Sequence, residues 1–190
     1  MDFRNLTQLD SARLYSLFIR HTEPYDHSAI SVRVKNGRSA EFSGSCYYAS
    51  STLNINLSPK NRYPYSLGTH VARPQSNQSH WWRDIYRITL ADAYQLALFV
   101  YLHELFHYLV RKAGRPTRRR EGMCDRFAAR VLVDHYGCIM RRSDESLAER
   151  DEWDIHDLHK LVAAAPKQPP REMAAMRPIP VRIVGLPAAQ

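Results

Sequence analysis

Cysteine is scarce in this chain of 190 residues: Cys46, Cys124 and Cys138 are the only three, and no two form a CxxC pair. An odd, unpaired set argues against a disulfide framework and gives no sign of a cysteine-type zinc site. It fits reduced thiols, so a cytoplasmic location is expected. No secretory leader is expected either, because MDFRNLTQLDSARLYSLFIRH has neither an apolar core nor a small-residue cleavage site. Nor is there a clean membrane span. The long apolar stretch 88–110 is interrupted by Asp92, His103, Glu104 and His107. Ionisable groups are costly inside a lone span, so this segment is expected to be a buried helix of a soluble core, with no membrane partner. Acidic residues are in deficit, 19 against 27 Lys and Arg, for a net charge of +8. That balance favours an acidic partner such as nucleic acid, or else describes a solvated basic surface.

What is present suits one compact domain over 1–165, followed by a Pro- and Ala-rich tail over 166–190. No internal repeat is visible. Apolar positions Leu6, Leu9, Leu14, Leu17 and Phe18 predict an amphipathic helix over 6–20. Ile30, Val32 and Val34 then alternate with polar residues, and Asn36-Gly37 predicts a hairpin turn into a second strand over 39–42. Further strands are expected at 46–48 and 53–57, giving an antiparallel sheet of three or four strands. Residues 58–84 read as a long loop, with Trp81 and Trp82 anchoring its end to the body. A helix over 89–112 follows, stopped by Gly114 and Pro116. A second is expected over 118–135, closed by Gly137, and a third short one over 146–164. The tail reads as extended, with a short strand at 181–184. The fold class is therefore α+β.

The chemistry lies in HELFH at 103–107. Positions i and i+4 stand about 40° apart around a helix and one turn along it, so His103 and His107 reach one ion. Glu104 projects beside them, placed as general base for a metal-activated water. The third ligand is expected from the next helix. His107 lies seven residues before Gly114 and Glu121 seven after it; His103 lies eleven before and Asp125 eleven after. In an antiparallel pair with axes about 8–10 Å apart, Glu121 then faces His107 and Asp125 faces His103. Glu121 becomes the third ligand and Asp125 an acceptor for a ligand imidazole N–H, with an open fourth position for water. One alternative makes Glu121 only a first-turn glutamate favoured by the helix dipole; another makes Asp125 the ligand and leaves Glu121 on the surface. Asp154, His156 and His159 form a weaker candidate without a comparable spacing argument.

HELFHYLV followed by EGMCDRFAARVLV resembles the ImmA/IrrE-type metallopeptidases, whose second motif runs approximately Glu-x-x-Ala-Asn-x-Phe-Ala. Glu121 matches the zinc-binding glutamate, Phe127 and Ala128 match the Phe-Ala pair, and Cys124 stands where alanine is usual. The likeness covers about residues 89–133, with a shorter gap between motifs than the family has. CYYASSTLNINLSPK ahead of the metal helix is more loosely similar to SprT-like domains, which bring a third histidine; no histidine lies between His107 and His135 here. The resemblance implies a zincin-like gluzincin: a small antiparallel or mixed sheet on a central HExxH helix, and a second helix carrying the third ligand. It implies Zn2+, a protein or peptide substrate paired along strand 53–57, and peptide-bond hydrolysis.

Tyr63, His70, His135 and Tyr136 are candidates for stabilising the oxyanion. Two rival readings remain. One is a zinc-stabilised binding module for DNA or a regulator, or a DNA-associated protease, supported by Arg111, Lys112, Arg115, Arg118, Arg119 and Arg120 beside the proposed site. The other is a purely structural zinc, against which the glutamate at the second motif position argues.

Overall fold

The computed structural model describes residues 1–37, 40–117 and 120–163. The tail from 166, its expected strand at 181–184, Ala164, and Arg118 and Arg119 of the basic cluster lie outside these residues. The chain opens with strand β1 (Asp2–Leu6), which takes in Leu6, the first residue of the helix expected over 6–20. Helix α1 (Ser11–Thr22) starts only where Asp10 caps it, its carboxylate accepting from Arg13 N at 2.6 Å. Its buried residues Leu14, Phe18 and Thr22 recur every four positions and make one face.

Strands β2 (Ser31–Asn36), β3 (Phe42–Tyr47) and β4 (Thr52–Leu57) complete the main sheet in the order β1-β2-β4-β3. The hairpin expected at Asn36-Gly37 does not form. Instead β2 pairs in parallel with β1 and β4, and β3 runs antiparallel to β4, so the sheet is mixed. The turn dipeptide is overridden by a longer connection, in which Gly37 N donates to Leu57 O at 2.7 Å. A second correction follows: residues 53–57 lie inside the sheet, and the edge beside the long helix is β3. Alternation puts Phe42, Gly44 and Cys46 of β3, and Leu53, Ile55 and Leu57 of β4, on buried positions.

Residues 58–84 are less irregular than their composition suggests. They hold β5 (Tyr65–Thr69) and the two-residue strands β6 (Gln75–Ser76) and β7 (Trp81–Trp82). Trp81 is 66% and Trp82 41% exposed, so neither anchors the segment. Thr89 belongs to β8 (Tyr86–Leu90), the middle strand of a second sheet ordered β5-β8-β9 with β9 (Met140–Arg141). The expected helix over 89–112 is α2 (Ala93–Lys112), capped by Asp92. Every residue of α2 from 96 to 110 is buried, which makes it the axis of the core. Phe18 stacks on its Tyr101 at 4.2 Å, and β3 and β4 pack on another face.

Gly114, at φ 70°, ends this helix in a left-handed turn, and α3 (Glu121–Tyr136) runs back along it to Gly137 at φ 65°. In place of one helix over 146–164 there are two short ones, α4 (Arg150–Trp153) and α5 (Leu158–Ala163). Among the described residues no helix is long and apolar enough to cross a membrane. The three cysteines are free and buried.

Candidate metal centre

Residues 103, 104 and 107 sit in the buried middle of α2, and 121, 124 and 125 in the first turn and a half of α3. One face of each helix is thus turned to the other. His103 Nδ1 lies 2.8 Å from Asp125 Oδ1, and its Nε2 lies 3.2 Å from Glu121 Oε2. The other oxygen of Glu121 is 3.4 Å from His107 Nε2 without forming a hydrogen bond. The expected level pairing therefore holds for Glu121 with His107 and Asp125 with His103, while Glu121 also reaches His103.

These separations bear on the fit of a metal. Ligands held 2.0–2.2 Å from a tetrahedral zinc stand about 3.4 Å from one another. Both Glu121–histidine distances match that spacing. The contact to His103 would be equally good as a hydrogen bond, so it does not decide the matter. His107 does. It is 0% exposed, and neither ring nitrogen has a hydrogen-bond partner among the described residues. A buried orphan of this kind calls for an explanation, and an ion is the one that suits imidazole beside carboxylate.

Glu104 is also 0% exposed, and among the described residues neither carboxylate oxygen has a hydrogen-bond partner. Burial pushes it up to about 8, against the opposing pull of His103 and with help from Glu121. Strand β3 closes over it: a Cβ on Gly44 would lie 2.8 Å from Glu104 Cδ. Only glycine leaves room for the carboxylate under that strand.

Burial works to lower His103, but hydrogen bonds to Asp125 and Glu121 carry it up to about 10. Burial, reinforced by the neighbouring His103, lowers His107 against the opposing pull of Glu121 and Asp125. Burial would raise Glu121, yet its pairing with the two histidines holds it at about 2. Asp125 is likewise kept well below the usual carboxylate range despite its burial, by bonds from His103 and His70.

His70 is the oxyanion candidate placed beside this cluster. Its backbone N donates to Asp125 Oδ2 at 2.7 Å, and its Nδ1 lies 3.3 Å from the same oxygen. Tyr136 Oη is instead taken by His21 Nε2 at 2.9 Å, the ring of His135 packs on His21, and Tyr63 lines a separate cavity with Leu9 and Leu57. Of the weaker candidate set, Asp154 is held by Arg130 and Arg150, and His156 Nδ1 faces Arg126; the side chain of His159 lies outside the described part. Of the basic cluster, Lys112 pairs with Asp26 and Arg120 Nε donates to Pro116 O.

One residue was missed. Cys124 Sγ and a ring nitrogen from each of His103 and His107 lie within 4.8 Å of one another, so these three buried residues are close enough to hold a metal ion. The signal was available: Cys124 stands three positions after Glu121, on the same helical face. Comparison of the chain with protein-family models, with curated proteins and with solved structures found no match.

Proposed function

We propose that this chain is a cytoplasmic zinc-dependent metallopeptidase with a zincin-like arrangement, its metal held by His103, His107 and Glu121. The observation that carries the reading is His107, fully buried with both nitrogens unpartnered and set at ligand spacing from the Glu121 carboxylate. The chemistry zinc supplies at such a site is Lewis-acid activation of water and of a carbonyl group.

The chain's own residues do the rest. Glu104 accepts the proton of the attacking water and returns it to the leaving amine. Its dry surroundings and raised proton affinity suit a group that must hold that proton between the two steps. Asp125 orients His103 through Nδ1 and keeps Nε2 turned toward the metal position. The substrate lies along β3, an edge strand of the main sheet, whose outer side can pair with an extended peptide. Gly44 is the point where that strand passes over Glu104, so a backbone bound there is held close to the base.

Lys112 is paired with Asp26, which takes one cation from the basic cluster that a nucleic-acid-binding role would use.

The test is elemental analysis of the purified protein, wild type beside Glu121→Ala. One equivalent of zinc in the wild type and its loss in the variant are expected, together with loss of peptide hydrolysis in Glu104→Gln at full zinc occupancy. A wild type that takes up no zinc after reconstitution would sink the proposal.

A further inference from the structure

Cys124 is the one donor at the centre that the proposed chemistry leaves unused. Three positions separate it from Glu121, so the helical repeat turns both side chains toward α2. Its thiol is completely buried, and Sγ shares a space of 4.8 Å with ring nitrogens of both histidines. A small buried thiol often packs simply as a hydrophobe. That accounts for the burial of Cys124 but not for what surrounds it. Both nitrogens of His107 and both oxygens of Glu104 are buried there without hydrogen-bond partners, which marks the same space as one made for a ligand.

Resting on the zinc reading above, we propose that Cys124 Sγ is a fourth protein ligand to the metal held by His103, His107 and Glu121. Coordination forms one sulfur–metal bond and breaks one S–H bond, the proton passing to solvent; no electron is transferred. With two imidazoles, a carboxylate and a thiolate as ligands, a four-coordinate metal would have no position left for water at rest. Hydrolysis then requires Sγ to give up its position, which makes Cys124 the residue that decides between a closed and a working site. A thiolate also biases the centre toward zinc, cobalt and cadmium over magnesium and manganese.

The experiment is cobalt substitution of the full chain, followed by absorption spectroscopy. A thiolate ligand gives intense near-ultraviolet sulfur-to-cobalt charge transfer, which nitrogen and oxygen ligands do not. The expected result is a band that saturates at one bound cobalt in the wild type. It should be missing from Cys124→Ala and Cys124→Ser, both still binding cobalt through the other three residues. Bound cobalt without the band, or a band that survives in Cys124→Ala, overturns the assignment and leaves the three-residue centre standing. Failure of the wild type to bind cobalt overturns both. Should the variants not fold, X-ray absorption of the zinc-loaded wild type decides alone: a sulfur at about 2.3 Å is expected, and a shell of nitrogen and oxygen only refutes the proposal.

Discussion

Asp125 Oδ1 lies 2.8 Å from His103 Nδ1, and this one contact selects which nitrogen of the imidazole is left for a ligand. With Nδ1 engaged by Asp125, Nε2 is the ring nitrogen turned toward Glu121 and the one that would be free for a metal once its proton is lost. The same carboxylate accepts the backbone N–H of His70, so it ties the segment after β5 to the metal helix.

Asp125→Asn keeps the volume but removes the charge that favours the ring proton on Nδ1. Zinc affinity is expected to weaken by roughly 10–100-fold, the usual effect of losing a carboxylate behind a ligating histidine. Competition with a chelator of known affinity measures it. Unchanged affinity would mean that the aspartate does not orient the ligand.

Glu104 gives a pH signature in the metal-free protein. Its carboxyl titrates at about 8 in the fold against 4.5 ordinarily. Below pH 4.5 it is neutral in both states. As pH rises from 4.5 to 8 the unfolded chain ionises while the folded one resists, so stability falls through that window, and above 8 the loss is complete. Glu104→Gln stays neutral throughout. The variant should therefore gain on the wild type across that window by on the order of a few kcal/mol, and hold that gain at higher pH. Thermal melts in chelator at several pH values read this directly. A difference between the two proteins that does not change with pH would show that burial does not perturb this carboxyl.

Gly44→Ala tests whether β3 positions the base. The new methyl would press on the Glu104 carboxyl group, which is fully buried and cannot swing into solvent. Peptide turnover should fall about 100-fold, as misplacement of a catalytic group by an ångström does, with zinc content unchanged. Zinc loss in this variant would instead place the disturbance at the ligands.

The legible parts of this chain were those fixed by short-range geometry. The i, i+4 spacing of His103 and His107, and the equal distances of His107 and Glu121 from Gly114, are properties of two helices and one turn. They carried over into the fold as the 3.4 Å approach of Glu121 to His107. Asp92 and Asp10 shifted the helix starts because a cap accepts backbone N–H groups that periodicity alone does not register. Strand order was not legible. Asn36-Gly37 looks like a hairpin in any local window, and only the insertion of β4 between β2 and β3 overrules it. Cys124 is illegible for a different reason: the lack of a CxxC pair says nothing of a cysteine three positions after Glu121, where the helical repeat turns both to one face.

Arg126 links the stability of the fold to the site. It is almost fully buried, its Nε donating to Val71 O at 2.8 Å and its Nη2 to Ala72 O at 3.1 Å. These bonds fix the segment that begins at His70, whose N–H in turn holds Asp125. Arg126→Met retains much of the apolar stem but strips two carbonyls of their donor. Leaving such acceptors unsatisfied costs about 1–3 kcal/mol each, which should lower Tm by on the order of 10 °C. Zinc affinity should fall as well, because Asp125 loses part of its support. Leu14→Ala in α1, a buried truncation expected to cost about 2–5 kcal/mol, is the matched control. It should lower Tm comparably and leave zinc affinity as it was. If both variants keep wild-type affinity, Arg126 supports only the fold; if both lose it, zinc binding follows global stability and no specific connection through His70 exists.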